Sequence, residues 1–230
     1  RTLGVETAVD DQIALMDHLG LEKALVGGWS MGVQVTLELY RRHPERVLGM
    51  ILLNGTYGRI FSTAFRTPLS GYLLPPTLRA MRKIAPLAGV AIKGFARWRG
   101  TIPLASRLKL VNRNIDREVF RRVASEFGDL DLDLYFESLV RLADHDAEDV
   151  LPLVDVPVLI IAAEHDLMTP PEVTRKMVEE MKHAELMVVP GGSHYCLLEY
   201  PDRVSARVRR FLEEHFPHAL GGGEEAMAGG

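Results

Sequence analysis

Gly28-Trp29-Ser30-Met31-Gly32 places a serine at the centre of a G-x-S-x-G pattern. A serine hydroxyl is a weak nucleophile until a base takes its proton and a third group orients that base. Both partners stand downstream, Asp166 in Ala162-Ala163-Glu164-His165-Asp166 and His194 in Pro190-Gly191-Gly192-Ser193-His194. The chemistry open to such a set is attack on an acyl carbonyl, with the developing oxyanion held by backbone N–H groups. The N–H of Met31 is the expected donor, because a helix starting after Ser30 aims its positive dipole end at the site. The flanking glycines are expected at a strained turn that side chains two residues before and two after the serine would obstruct.

Five residues of this kind recur by chance, so their surroundings decide. Glu164 rivals Asp166, and Ser30 could be an ordinary serine in a tight turn. The chain has eight histidines. Besides His194, His18, His43, His183, His215 and His218 read as surface groups, while His145 and His165 sit in the mixed triplets Asp144-His145-Asp146 and Glu164-His165-Asp166. Adjacent residues seldom aim at one ion, and neither triplet has an i, i+4 histidine pair, so no metal is expected, nor any organic cofactor. Cys196 reads as a small buried hydrophobe rather than a nucleophile.

The elements that must position these groups follow from hydrophobic periodicity. Val9, Ile13 and Met16 form one helical stripe that Gly20 ends. Residues 23–28 read as a short buried strand, and Val33 to Leu39 return to helical spacing before His43-Pro44. Residues 47–54, 156–162 and 185–189 are continuous apolar runs, the pattern of strands covered on both faces. Helical stripes follow the last two, through Val173, Met177 and Met181 and then Val204, Val208, Phe211 and Leu212. Alternating strands and helices imply an α/β fold with a mainly parallel sheet. Ser30, Asp166 and His194 each lie just past a strand end, where open α/β sheets gather functional groups.

Between the second and third strands the rhythm breaks. The reading divides the chain into a core at 1–56 and 149–218, an inserted helical cap or lid at 57–148, and a disordered tail at 219–230. Residues 57–115 hold eleven Lys and Arg and no Asp or Glu, so of 27 basic residues only 16 face the 31 acidic ones elsewhere. A net charge of −4 thus hides a −15 body with a +11 insertion. These cations either solvate the outer face of cap helices or, with the apolar residues between Leu73 and Trp98, lean on an anionic membrane surface or guide an acidic acyl substrate.

With 230 residues, 47% apolar and 25% charged, the composition excludes disordered and fibrous classes. No apolar run approaches the roughly 20 residues of a membrane-spanning helix. A single cysteine excludes an internal disulfide framework and suits a reducing, cytoplasmic setting. Mild acidity speaks against nucleic acid as a partner.

The elbow segment Leu25-Val26-Gly27-Gly28-Trp29-Ser30-Met31-Gly32 and the following Tyr40-Arg41-Arg42-His43-Pro44-Glu45-Arg46-Val47 resemble the nucleophile elbow and helix of α/β-hydrolase fold enzymes. Glu164-His165-Asp166 with Thr169-Pro170, and Gly192-Ser193-His194 with Glu199-Tyr200-Pro201-Asp202-Arg203-Val204, resemble that family's acid and histidine loops. The resemblance implies Ser30 as nucleophile, His194 as base, Asp166 as its orienting acid, and a small-molecule acyl substrate, most simply a carboxylic ester. The same triad could instead serve peracid formation or carbon–carbon bond cleavage, and a non-catalytic relative binding a ligand or membrane is the other class. Trp29 stands where the family commonly has His and is expected to narrow the acyl pocket. The family also implies about four strands ahead of the elbow and a loop, often His-Gly, that gives the second oxyanion donor. The residues before Ala24 hold no such segment, so the reading expects a C-terminal portion of a longer protein or an unusual cover for the first strand.

Overall fold

A computed structural model describes residues 4–59, 69–82, 89–92, 94–95 and 98–220. The chain opens with α1 (Val5–His18), β1 (Ala24–Trp29), α2 (Met31–Arg42) and β2 (Val47–Leu53). Among the described residues, α3 (Leu69–Arg82), α4 (Thr101–Arg107), α5 (Arg117–Asp129) and α6 (Leu132–Leu142) then intervene. The core resumes with β3 (Val158–Ala163), α7 (Pro171–Glu180), β4 (Ala184–Val189), α8 (Cys196–Glu199), α9 (Pro201–His215) and α10 (Pro217–Leu220). The expected tail lies, in residues 221–230, outside the described residues, as do Arg66, Lys83, Lys93 and Arg97 of the basic insertion.

The four strands pair in parallel in the order β1-β2-β3-β4. Their alternating side chains feed two cores, one on each face of the sheet. Val158 and Ile160 of β3 join Val9 of α1, Val33 and Leu37 of α2 and Met177 of α7, whereas Leu159 and Ile161 join Val204 and Phe211 of α9. β3 is buried along its whole length, as its unbroken apolar run implies. β1 departs from the expected buried strand: apart from Gly28 it is half-buried or exposed, because it is an edge strand and no described strand pairs with its outer side.

Gly20, at φ 67°, takes the left-handed conformation that ends α1. Between β2 and β3 the chain leaves and returns at one place, where Gly58 and Asp146 form an isolated antiparallel bridge. A Cβ on Gly58 would lie 2.7 Å from the Asp146 backbone, so only glycine lets the two passes close. The intervening helices hold their own small core of Leu78, Leu132 and Phe136, while Ala105, Val111 and Ile115 pack against Tyr195 and Leu198 beyond β4.

Candidate active site

The strand registers align the carboxyl ends of β1 to β4, with Trp29 beside Leu53, Leu53 beside Ile161 and Ala163 beside Val189. Four turns therefore meet at one edge of the sheet. Ser30, the first residue past β1, sits at φ 55° and ψ −116°. A non-glycine residue in this region is strained by about 1–3 kcal/mol and persists only where its surroundings enforce it. Here the Ser30 N–H donates to Leu53 O at 2.9 Å, and the Ser30 carbonyl accepts from Val33 N–H at 3.1 Å. A Cβ on Gly28 would fall 2.2 Å from the Gly32 carbonyl oxygen, so the turn cannot close without that glycine. Gly32 corrects the sequence expectation: a Cβ there meets nothing within 4 Å. It faces a cavity rather than the turn, so local collision does not explain it.

His194 bridges the other two groups. Its Nε2 lies 2.9 Å from Ser30 Oγ and its Nδ1 lies 2.8 Å from Asp166 Oδ2. Asp166 is fully buried and accepts five hydrogen bonds. Its Oδ2 takes His194 Nδ1–H, Asn54 Nδ2–H and the Thr169 hydroxyl, and its Oδ1 takes the backbone N–H groups of Met168 and Thr169. Burial alone would raise this carboxyl's pKa, but the His194 contact and the Thr169 bonds outweigh it and hold the group below its ordinary value. The rival Glu164 points elsewhere, accepting the Gly191 N–H at 2.8 Å.

Trp29 lines the cavity and also does something the sequence did not suggest. Its indole Nε1–H donates to the His194 carbonyl at 3.2 Å, and its ring lies 5.6 Å from the imidazole. Met31 begins α2, so the helix itself offers its N–H no acceptor.

Two further residues shape the site. Asn54, at φ 43° past the end of β2, donates to Asp166 and to Ser193 O at 3.3 Å, and its Oδ1 accepts the Cys196 thiol at 3.0 Å. The buried Glu199 accepts the backbone N–H groups of Ser193 at 2.8 Å and Asn112 at 2.6 Å together with the Ser193 hydroxyl. Glu199 therefore ties the histidine loop to the segment after α4. Asn54 carried no motif signal, whereas Glu199 stood in the quoted histidine-loop stretch without an assigned role. Burial pushes the Cys196 thiol up to about 12, and the nearby Glu199 and Asp166 carboxylates add to the shift, so it stays protonated.

His145 is half-buried and meets Glu38 at 3.0 Å, and His215 pairs with Glu185. Among the described residues, the one group with metal-ligand spacing is Glu185, Glu214 and His215, and Arg207 already neutralises Glu185.

The site opens into a cavity of about 640 Å³ between the sheet edge and helices α3, α5 and α6. A nucleophile, a base oriented by a buried carboxylate, a helix N-terminus and an adjoining apolar chamber together suit acyl transfer.

A protein from Caulobacter sp. (strain K31) named as a carbamate hydrolase, RutD, is 28% identical over 206 residues, covering 88% of this chain and 70% of its own. A pimeloyl-[acyl-carrier protein] methyl ester esterase of Neisseria meningitidis serogroup C is 24% identical over 210 residues, covering 91% and 75%. The solved esterase from Exiguobacterium antarcticum superposes with a TM-score of 0.72 at 18% identity, over 93% of this chain and 75% of that one. The family model for the alpha/beta hydrolase fold matches residues 2–201, and this chain belongs to that family of hydrolases.

Proposed function

We propose that the chain is a serine hydrolase that cleaves a carboxylic ester through an acyl-enzyme on Ser30. The observation that carries this reading is the unbroken relay from Ser30 Oγ through His194 to the buried Asp166, opening onto an apolar cavity. Ser30 Oγ attacks the carbonyl carbon while His194 Nε2 takes the hydroxyl proton, and Asp166 keeps the ring in the tautomer protonated on Nδ1. The tetrahedral oxyanion meets the Met31 N–H at the start of α2. As the acyl–oxygen bond breaks, His194 returns the proton to the departing alcohol. Water then adds to the acyl-enzyme by the same route in reverse, releasing the acid and restoring Ser30.

The names of the relatives, one a carbamate hydrolase and one a methyl ester esterase, support an acyl substrate of this kind. A fluorophosphonate probe should label the wild-type chain at Ser30 and leave Ser30→Ala unlabelled. Undiminished labelling of Ser30→Ala overturns the assignment.

A second reading concerns the cap surface. Leu73, Val90, Phe95 and Trp98 are exposed, as are the cations Arg79 and Arg99, a composition suited to an anionic lipid surface. Co-sedimentation with anionic but not neutral vesicles supports it, and equal binding to both, or none, refutes it.

A further inference from the structure

Helix α5 carries four of its apolar side chains in one stripe, Phe120, Val123, Ala124 and Phe127, at spacings of three, one and three residues. Such a stripe normally presses into a protein core. Here all four remain half-buried and line the cavity over Ser30. Tyr135 and Leu139, one turn apart on α6, close the chamber, and the Tyr135 ring meets Phe127 edge-on at 4.9 Å. Phe120 and Phe127 also pack against the two small clusters beside them, and between these anchors the face of α5 lines a chamber suited to an apolar guest.

The polar inventory of that chamber is short. Among the described residues its lining includes no Lys, Arg, Asp or Glu. Besides Ser30 and His194, its hydrogen-bonding side chains are the phenols of Tyr135 and Tyr195 and the indole of Trp29, which already bonds the His194 carbonyl. Burial holds both phenols above their ordinary pKa, so they offer O–H donors but no charge. A carboxylate at the far end of an acyl chain would lose its hydration there without gaining a counter-charge from any described residue of the lining.

Size sets the other limit. If a methylene takes roughly the 30 Å³ share of one water, a ten-carbon chain fills about half of the cavity and leaves room for the alcohol. We propose that this chamber selects esters whose acyl part is an uncharged, apolar chain of about six to ten carbons. The proposal rests on the hydrolase reading, since it names the substrate class of that same site.

The test is the kcat/KM of p-nitrophenyl esters from acetate to decanoate, with the suberate half-ester as the charged counterpart of octanoate. Each added methylene up to about C8 should raise kcat/KM roughly three- to fourfold, the gain expected for burying one CH2. The half-ester should fall at least about tenfold below octanoate. Ala124→Trp, or the milder Val123→Phe if the first fails to fold, should lower the octanoate-to-acetate ratio by about tenfold. A flat or falling profile from C2 to C8, equal turnover of the charged and neutral C8 esters, or an unchanged ratio in the folded variants overturns the proposal.

Binding of methyl octanoate and of monomethyl suberate to Ser30→Ala, followed by tryptophan fluorescence, separates this from the chemistry. Preference for octanoate there, with no wild-type turnover and no probe labelling, sinks the hydrolase reading and leaves the chamber's selectivity standing. Turnover of acetate without chain-length gain does the reverse.

Discussion

Asp166→Asn tests the relay most severely, because the carboxylate receives five donors and can offer them only acceptor lone pairs. An asparagine must turn its NH2 toward one side. If the amide oxygen faces His194, the NH2 confronts the backbone N–H groups of Met168 and Thr169. Two buried donors then lose their acceptor, at about 1–3 kcal/mol each. If the amide is flipped, the NH2 confronts His194 Nδ1 and drives the ring to the Nε2–H tautomer, which leaves no lone pair for the Ser30 proton.

The first pose costs stability and the second costs chemistry. Stability should fall by roughly 2–6 kcal/mol, lowering Tm by about 5–20 °C for a chain of this size. Ester turnover should fall on the order of 10³- to 10⁴-fold in kcat. Turnover of a p-nitrophenyl ester and denaturant unfolding of the same preparation measure the two effects separately. A folded Asp166→Asn protein that keeps kcat within tenfold of wild type would refute the reasoning. Because the folded carboxyl has a pKa below its unfolded value, the ionised form stabilises the fold at neutral pH. That contribution is lost as the pH falls through about 4 toward the folded value, and urea midpoints of wild type and Asp166→Ala should converge there.

Trp29→Phe removes the indole donor to the His194 carbonyl while keeping an aromatic wall; kcat should drop about two- to tenfold, and a change confined to KM would show that Trp29 acts on substrate alone. Gly28→Ala should yield no folded protein, since its Cβ meets the Gly32 carbonyl, whereas Gly32→Ala should fold with a near-native Tm because its Cβ meets open space; equal yields of native protein contradict this account of the turn. Cys196 should resist iodoacetamide at pH 8 in the native chain and react only after denaturation, because its buried thiol stays protonated and hydrogen-bonded to Asn54; rapid native labelling, read by mass spectrometry, contradicts it.

Periodicity and turn chemistry are local properties, and they placed the strands and helices of the core within a few residues. Ser30, Asp166 and His194 stood out as candidates for the same reason: each follows a strand end, and two stand among glycines; the structure brings the three side chains together. By itself the sequence determined the α/β pattern and the charge asymmetry of the insertion, and it singled out Ser30, Asp166 and His194 as candidates. Only the tertiary structure decided what surrounds them. Asn54 reaches Asp166 across 112 residues and Trp29 reaches His194 across 165, contacts that exist because β1 to β4 lie side by side with their carboxyl ends together. Nothing in the spacing of Asn54 separates it from an ordinary loop asparagine, and nothing in that of Glu199 marks it as the clamp of the histidine loop. The same holds for the α5 stripe, whose 3.6-residue period declares an apolar face without saying whether a core or a cavity lies opposite. Burial depends on what packs against a face, and that partner is supplied by distant parts of the chain.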